Sequence, residues 1–211
     1  MPKVEPFNQH LEEYEHWFTV NSWVYESELE AIRKVLPTSG RGIEIGIGSG
    51  LFASPLGIRE GVDPSAAMRE KAHQRGLEVQ DAVAEALPYA DESVDHALMV
   101  TSICFVDSIP KSLLEARRVL RPGGLLVIAF VDKDSFLGRQ YQIHKHENPF
   151  YREAVFVGAS ELDQKLDEAG FAVEEFWQTI FSDLDQVQSL QEAIKGHGEG
   201  GFVVISARKP L

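Results

Sequence analysis

Residues 42–53 read GIEIGIGSGLFA. An apolar run ends in three glycines at alternate positions, Gly46, Gly48 and Gly50, and carries one acid, Glu44. Such a pattern is a strand turning sharply toward a helix, and loops of this kind often cradle phosphate. The dinucleotide fingerprint is spaced G-x-G-x-x-G, but here Leu51 stands where its third glycine would be. No Gly-Lys-Ser/Thr follows the loop, which excludes a P-loop nucleotide hydrolase. A second acid, Asp63, closes the next apolar run in REGVDPS, 17 residues after Gly46. Neither acid helps a phosphate, and both favour a cation. A carboxylate at the end of the second strand can also accept both hydroxyls of a ribose.

Outward from this loop, short apolar runs alternate with helical patterns. The spacing predicts strands near 42–47, 58–63, 77–80, 94–100 and 124–131. Helices are expected near 50–56, 65–75 and 108–120, with a single turn at 85–87. Alternating strands and helices imply an α/β fold, a parallel sheet covered on both faces. GLLVIAFV (124–131) is apolar throughout, as a strand buried on both faces should be. Ahead of the loop, apolar residues at helical spacing predict helices over 9–18 and 22–36. Asn21 or Ser22 would cap the second and Pro37 would stop it. After Val131 a polar and aromatic insertion is expected to hold a helix near 134–146. SELDQKLDEAGF (160–171) then reads as a helix with Ser160 as N-cap, Glu161 and Asp163 in its first turn, and Gly170 at its end. Strands at 172–181 and 201–208 follow, separated by a short helix at 183–194 and the loop KGHGEGG.

The 211 residues suit one domain over 1–211, and no apolar run reaches the length needed to span a bilayer. The acidic N-terminus lacks a signal-peptide core. Cys104 is the only cysteine, so an internal disulfide and a multi-cysteine metal site are excluded. A cytoplasmic location is the expectation. A net charge of −13 and the lack of a Lys/Arg cluster argue against nucleic acid and anionic membrane as partners. Arg117 and Arg118 read as a solvated helix face. A small neutral or cationic ligand fits this charge better.

The motifs IEIGIGSG, GVDPS, AEALP, VDHALMV and LLEARRVLRPGGLLVIAF stand in the order seen in one family. Residues 38–131 strongly resemble the class I S-adenosylmethionine-dependent methyltransferases, of the broad small-molecule group. The resemblance implies a Rossmann-like three-layer sandwich with a seven-stranded, mostly parallel sheet in the order 3-2-1-4-5-7-6. It implies an N-terminal helical lid (1–37), a cofactor-binding core (38–131), an insertion or substrate cap (132–160) and a C-terminal helix with the last two strands (161–211). The cofactor would be S-adenosylmethionine and the product S-adenosylhomocysteine. The glycine loop would then hold no phosphate, and backbone without Cβ atoms would approach the methionine part of the cofactor.

Carried across residue by residue, the resemblance places Gly46, Gly48 and Gly50 beside the methionyl and ribose groups. Glu44 would order the loop or meet the amino group through water, and Asp63 would bind the ribose hydroxyls. Pro64, Ser65 and Met68 would lie beside the adenine. Thr101 would lie near the methionyl amino group. The family's usual adenine-reading Asp aligns with Val83, while Ala84 and Glu85 match, so backbone around Ala84 is expected to read the adenine edge.

Substrate candidates are Tyr14, Trp17 and Phe18 on the lid, Tyr141 in the insertion, and His197 and Glu199 in the final loop. His197, Tyr141 and His16 are the candidates for a catalytic group, should the acceptor need a base. His144 and His146 are two residues apart and diverge on a helix, so no metal site is expected. A small-molecule acceptor and a monomer or homodimer complete the expectation. Two other readings stand beside it: a cofactor-binding module without catalysis, and a nicotinamide-dependent oxidoreductase, against which the glycine spacing and RPGG count.

Overall fold

The computed structural model describes residues 3–211; residues 1 and 2 of the expected lid lie outside the described residues. Three helices open the chain: α1 (Glu5–Gln9), α2 (Leu11–Val20) and α3 (Ser22–Arg33). The core then runs β1 (Gly42–Ile45), α4 (Ala53–Leu56), β2 (Glu60–Val62), α5 (Ala66–Gln74), β3 (Glu78–Gln80), β4 (Val94–Val100), α6 (Ile109–Val119) and β5 (Leu120–Val131). It closes with α7 (Phe136–His144), α8 (Ala159–Glu168), β6 (Ala172–Thr179), β7 (Ile194–Lys195) and β8 (Phe202–Arg208).

The strands form one sheet in the order β3-β2-β1-β4-β5-β8-β6-β7. β1 to β5 are parallel, whereas β8 runs antiparallel to β5 and β6. This is the expected seven-strand order with one two-residue strand added at the β6 edge. Two apolar clusters cover the two faces. One joins β1, β4, β5 and β8 to α6 and α8, and the other joins β3, β4, β5 and β8 to α3, with Trp17 and Phe18 of α2 packed against it. On α6, Leu113, Ala116 and Val119 are fully buried on one stripe, each large side chain contributing about 1.5–3 kcal/mol.

Several boundaries depart from the sequence expectation for identifiable reasons. The lid's first helix is broken at His10 into α1 and α2. Asn21 stands at the N-cap of α3, but its side-chain amide donates backward to the Trp17 carbonyl at 2.9 Å. That helix ends at Arg33, before Pro37 can act. RPGG lies inside β5 as an irregularity in its pairing with β4, not ahead of the strand. No helical turn forms at 85–87, where Val83 and Ala86 make an isolated bridge instead. Gly158 is the N-cap of α8, so Ser160 lies within the helix, and Glu161 is the acid of its first turn. The expected helix at 183–194 is only a 3₁₀ turn over Leu184–Gln186. The chain beyond it is held extended on α3: Gln191 N–H donates to Ser27 Oγ at 2.9 Å and Ala193 N–H to Glu30 Oε2 at 3.0 Å. Arg118 is no solvated face. It clips α6 to the loop before β4, donating to Asp91, Glu115 and the Leu87 and Tyr89 carbonyls. Among the described residues, no helix is long and apolar enough to cross a membrane.

Candidate functional site

A cavity of about 120 Å³ opens at the carboxyl ends of β1, β2 and β4, the crevice where open α/β sheets take their ligands. Its floor is the glycine loop. The three glycines sit at positive φ, which L side chains adopt at a cost, but they face different neighbours. A Cβ on Gly48 would point into the cavity, with the Tyr14 hydroxyl its nearest neighbour at 3.7 Å. A Cβ on Gly46 would strike Ser102 Cβ at 2.5 Å. A Cβ on Gly50 would strike Leu77 Cδ1 at 2.2 Å. Gly50 does not line the cavity; close packing between the loop and the start of β3 explains its glycine.

Asp63 is 8% exposed at the tip of β2. Its two carboxylate oxygens accept backbone N–H groups from Gly48 and Ser65, each at 2.8 Å. The side chain therefore fixes the glycine loop while Asp63 itself lines the cavity. Burial raises its pKa, while the Ser65 and Gly48 N–H groups work against that rise. Glu44 lies under the loop, 1% exposed, and does not line the cavity. Its carboxyl is held well above the usual carboxylate range, first by burial and then by the charge of Asp63. Glu44 Oε2 is buried without a hydrogen-bond partner.

Pro64, Ser65, Met68, Ala84, Glu85 and Thr101 all line the cavity, as expected, and Val83 joins them. Glu85 also accepts the Ser108 N–H at 2.9 Å, at the start of α6. Asp81 turns outward to Arg69 at 2.9 Å. One wall of the cavity is lined by Ala82, Val83, Ala84 and Val106, whose side chains carry no polar atom. Thr101 holds φ +52°, a left-handed conformation that costs a β-branched residue about 1–3 kcal/mol. Its carbonyl accepts Cys104 Sγ at 2.9 Å.

The roof comes from the N-terminus. Lys3, Val4 and Phe7 line the cavity with Tyr14. Asn8 Oδ1 accepts the Ser65 hydroxyl at 2.8 Å and the Ala67 N–H at 3.3 Å, strapping α1 to α5. Glu15 accepts from Ser49 and Arg75, tying α2 to the loop and to α5. Burial works to raise the Glu15 pKa, but the Arg75 and Ser49 hydrogen bonds outweigh it and lower it. These polar straps have no sequence signature, since each joins residues more than thirty positions apart.

The substrate candidates separate. Tyr14 lines the cavity. Phe18 packs on Tyr14 at 5.1 Å and on Phe52 at 5.7 Å, one layer behind, and Trp17 packs on Phe18. Tyr141 lies outside the cavity against Tyr151, ring centroids 4.8 Å apart. His16 is exposed on α2. His197 and Glu199 are also exposed and lie away from the crevice. The expectation placed their loop at the carboxyl edge, and its end does return there, where Asp132 N–H donates to the Gly201 carbonyl at 3.1 Å. Pairing of β7 with Trp177 and Gln178 carries the middle of the loop down the outer edge of β6. His197 ends on the Phe176 ring at 4.9 Å. Sequence reasoning missed Phe7 and Phe105, which line the cavity. Among the described residues, no group of three or more His, Cys, Asp or Glu could hold a metal ion.

The cavity thus brings a buried carboxylate, Asp63, and a glycine loop to one place beneath Tyr14. Comparisons with known proteins identify the family. Residues 43–128 match the family model described as "Methyltransferase domain". The chain is 44% identical over 203 residues to an uncharacterized protein of Methanocaldococcus jannaschii, covering 96% of this chain and 98% of that one. It is similar to a crystal structure from Thermotoga maritima described as a "SAM-dependent methyltransferase, possible histamine N-methyltransferase". That match has a TM-score of 0.95 and 45% identity, covering 98% of this chain and 99% of the other. A malonyl-[acyl-carrier protein] O-methyltransferase of Methylococcus capsulatus is 35% identical over 119 residues, covering 50% of this chain and 42% of that protein.

Proposed function

The chain belongs to the class I S-adenosylmethionine-dependent methyltransferases, and on that premise we propose that it transfers a methyl group to a small-molecule acceptor beneath the N-terminal lid. When bound, S-adenosylmethionine supplies a methyl group on a positively charged sulfur, which leaves as a neutral thioether. The observation that carries the proposal is the Asp63 carboxylate, held by Gly48 and Ser65 N–H groups at the rim of a cavity floored by a glycine loop.

Asp63 would hold the ribose hydroxyls, each bond to the charged acceptor contributing about 1.5–3 kcal/mol. Gly46 and Gly48 would let the backbone meet the methionyl part. Pro64, Ser65 and Met68, with Ala84 and Glu85 opposite, would bracket the adenine. Thr101 would offer backbone to the amino group, and Glu44 would hold the loop from beneath. Gly50 serves the loop's packing and leaves the list of direct contacts. Tyr14 is the lid residue best placed beside the transferred methyl.

Positioning and exclusion of water supply most of the acceleration for such a displacement. The lid's aromatic groups and its straps to α5 provide both. We place the reaction in the cytoplasm, with neither nucleic acid nor membrane as partner, on the strength of the acidic surface and the single buried cysteine. Calorimetry with S-adenosylhomocysteine, with NADH as control, tests the reading. Micromolar binding of the first and none of the second is expected; the reverse would return the chain to the oxidoreductases. Tight binding without methyl transfer to any member of a broad acceptor panel would favour a non-catalytic module.

A further inference from the structure

Arg75 is the C-cap of α5, where a cation complements the partial negative charge of a helix end. Its guanidinium reaches instead across to two other segments. Nη1 donates to the Ser49 carbonyl at 2.7 Å and to Glu15 Oε1 at 3.1 Å, and Nη2 donates to Glu15 Oε2. The Ser49 hydroxyl donates to the same Glu15 carboxylate. One planar fork thus closes a ring of three segments: the glycine loop, α2 and α5. A forked pair of this kind is directional and roughly twice as strong as a neutral hydrogen bond. It is also shielded, with the Arg75 and Glu15 side chains 25% and 21% exposed, unlike the fully solvated pairs that contribute little.

Two sides of the ring border the cavity. Ser49, 1% exposed, lies between Gly48 and Gly50, which hold φ +56° and +83°. Gly48 lines the floor. Glu15 follows Tyr14 on α2, and the Tyr14 hydroxyl is the group nearest to where a Gly48 Cβ would stand, at 3.7 Å. Fixing Ser49 and Glu15 on one guanidinium therefore sets floor and roof at one spacing. Glycine has the most conformational freedom to lose on ordering. A loop with three glycines in five residues, 46–50, needs an outside anchor to be ordered before a ligand arrives. A site ordered beforehand binds more tightly, because less freedom is lost on binding.

Resting on the cofactor reading above, we propose that Arg75 is a positioning residue for the cofactor: with Glu15 and the Ser49 carbonyl it orders the glycine loop and seats Tyr14 over Gly48 before the ligand binds. Arg75 does not itself line the cavity, so it acts through the groups it holds. The Asn8 strap joins α1 to α5 by neutral groups and is separate from this ring. Arg41 supplies a matched contrast. It makes the same forked pair with Glu60, at 2.7 and 2.8 Å, but at the amino ends of β1 and β2, the far end of the sheet from the cavity.

The test is calorimetry with S-adenosylhomocysteine, together with amide hydrogen exchange, on the wild type, Arg75→Met, Glu15→Gln, the double variant and Arg41→Met. Arg75→Met and Glu15→Gln should each weaken binding at least about tenfold. The double variant should lie within about twofold of the weaker-binding single variant, since both changes break one network. Without ligand, the Gly48 and Gly50 amides, held by Asp63 and the Ile47 carbonyl, should exchange at least about tenfold faster in each variant of the ring, and S-adenosylhomocysteine should restore their protection. Arg41→Met should lower the melting temperature and keep the affinity within about twofold of wild type. Unchanged affinity in either single variant of the ring, losses that multiply in the double variant, or unchanged loop exchange would each overturn the proposal. So would an equal loss of affinity in Arg41→Met, which would trace the weakening to stability at large. Failure of the wild type to bind S-adenosylhomocysteine would instead sink the cofactor reading itself. Should Arg75→Met not fold, Arg75→Lys replaces it. An ammonium keeps the charge without the fork, so binding should weaken at least about threefold, whereas unchanged binding would overturn the proposal.

Discussion

The two halves of the crevice are built in opposite ways. On the sheet side, the glycine loop, Asp63 and the wall at 82–85 come from consecutive strand ends, and their polar groups are largely backbone. On the lid side, Lys3, Val4, Phe7 and Tyr14 come from the N-terminal segment and its first two helices and close the cavity with side chains. The first half rests on backbone without a Cβ at Gly46 and Gly48 and on one carboxylate. The second rests on side-chain packing between aromatic rings.

The largest break in this comparison should come from Asp63→Ala. It removes the proposed ribose contact and also releases Gly48 and Ser65. A loss of about 100-fold or more in S-adenosylhomocysteine affinity is expected by calorimetry, from two charged hydrogen bonds at about 1.5–3 kcal/mol each.

The glycines sharpen it next. Gly50→Ala collides with Leu77 in the packed interior, so the unfolding free energy should fall by about 1–3 kcal/mol. The folded fraction should keep its ligand affinity. Gly48→Ala meets nothing closer than 3.7 Å but fills the cavity floor. It should weaken S-adenosylhomocysteine by roughly tenfold, at φ +56°, with a smaller effect on melting. A denaturation curve and a titration on each variant separate the two roles.

On the lid side, Glu28 has its pKa pushed up to about 8 by burial. Its carboxyl binds a proton in the folded protein that the unfolded chain has released, so wild-type stability falls as pH rises from the unfolded value toward 8. The slope from this group is about 1.4 kcal/mol per pH unit within that window. Glu28→Gln should lose that component. Melting temperatures at pH 5 and pH 8 should therefore diverge less in the variant, while equal slopes would show that Glu28 is solvated. The smallest effect is expected from His197→Ala, whose ring rests on Phe176 outside the crevice. Methyl-transfer kcat and KM should both stay within about twofold of wild type.

Legibility follows the same division. The strands, the glycine loop and the place of Asp63 could be read because alternation, spacing and strand ends are local signals; the sheet order came only with the family resemblance. Gly50 looked like its two neighbours because a string of letters does not say where a Cβ would point. The last loop was misplaced because β7 is two residues long and its pairing with β6 leaves no periodicity. Glu28 was invisible for a similar reason. In SWVYESELEAIR it is one of three acids on an amphipathic helix, and only its burial in the folded chain separates it from a surface carboxylate. Arg118 shows the converse, a charge that looked solvated and proves to be a clip.

The strap between α1 and α5 has a kinetic consequence. Ser65 uses one hydroxyl both to cap α5, through the Met68 N–H, and to reach Asn8 on the roof. A product held beneath Phe7 and Tyr14 would be released more freely with that roof lifted, so the start of α5 and the lid share one latch. The expected clock for turnover is the opening of α1. Asn8→Ala should then shorten product residence in stopped-flow displacement more than it weakens equilibrium binding.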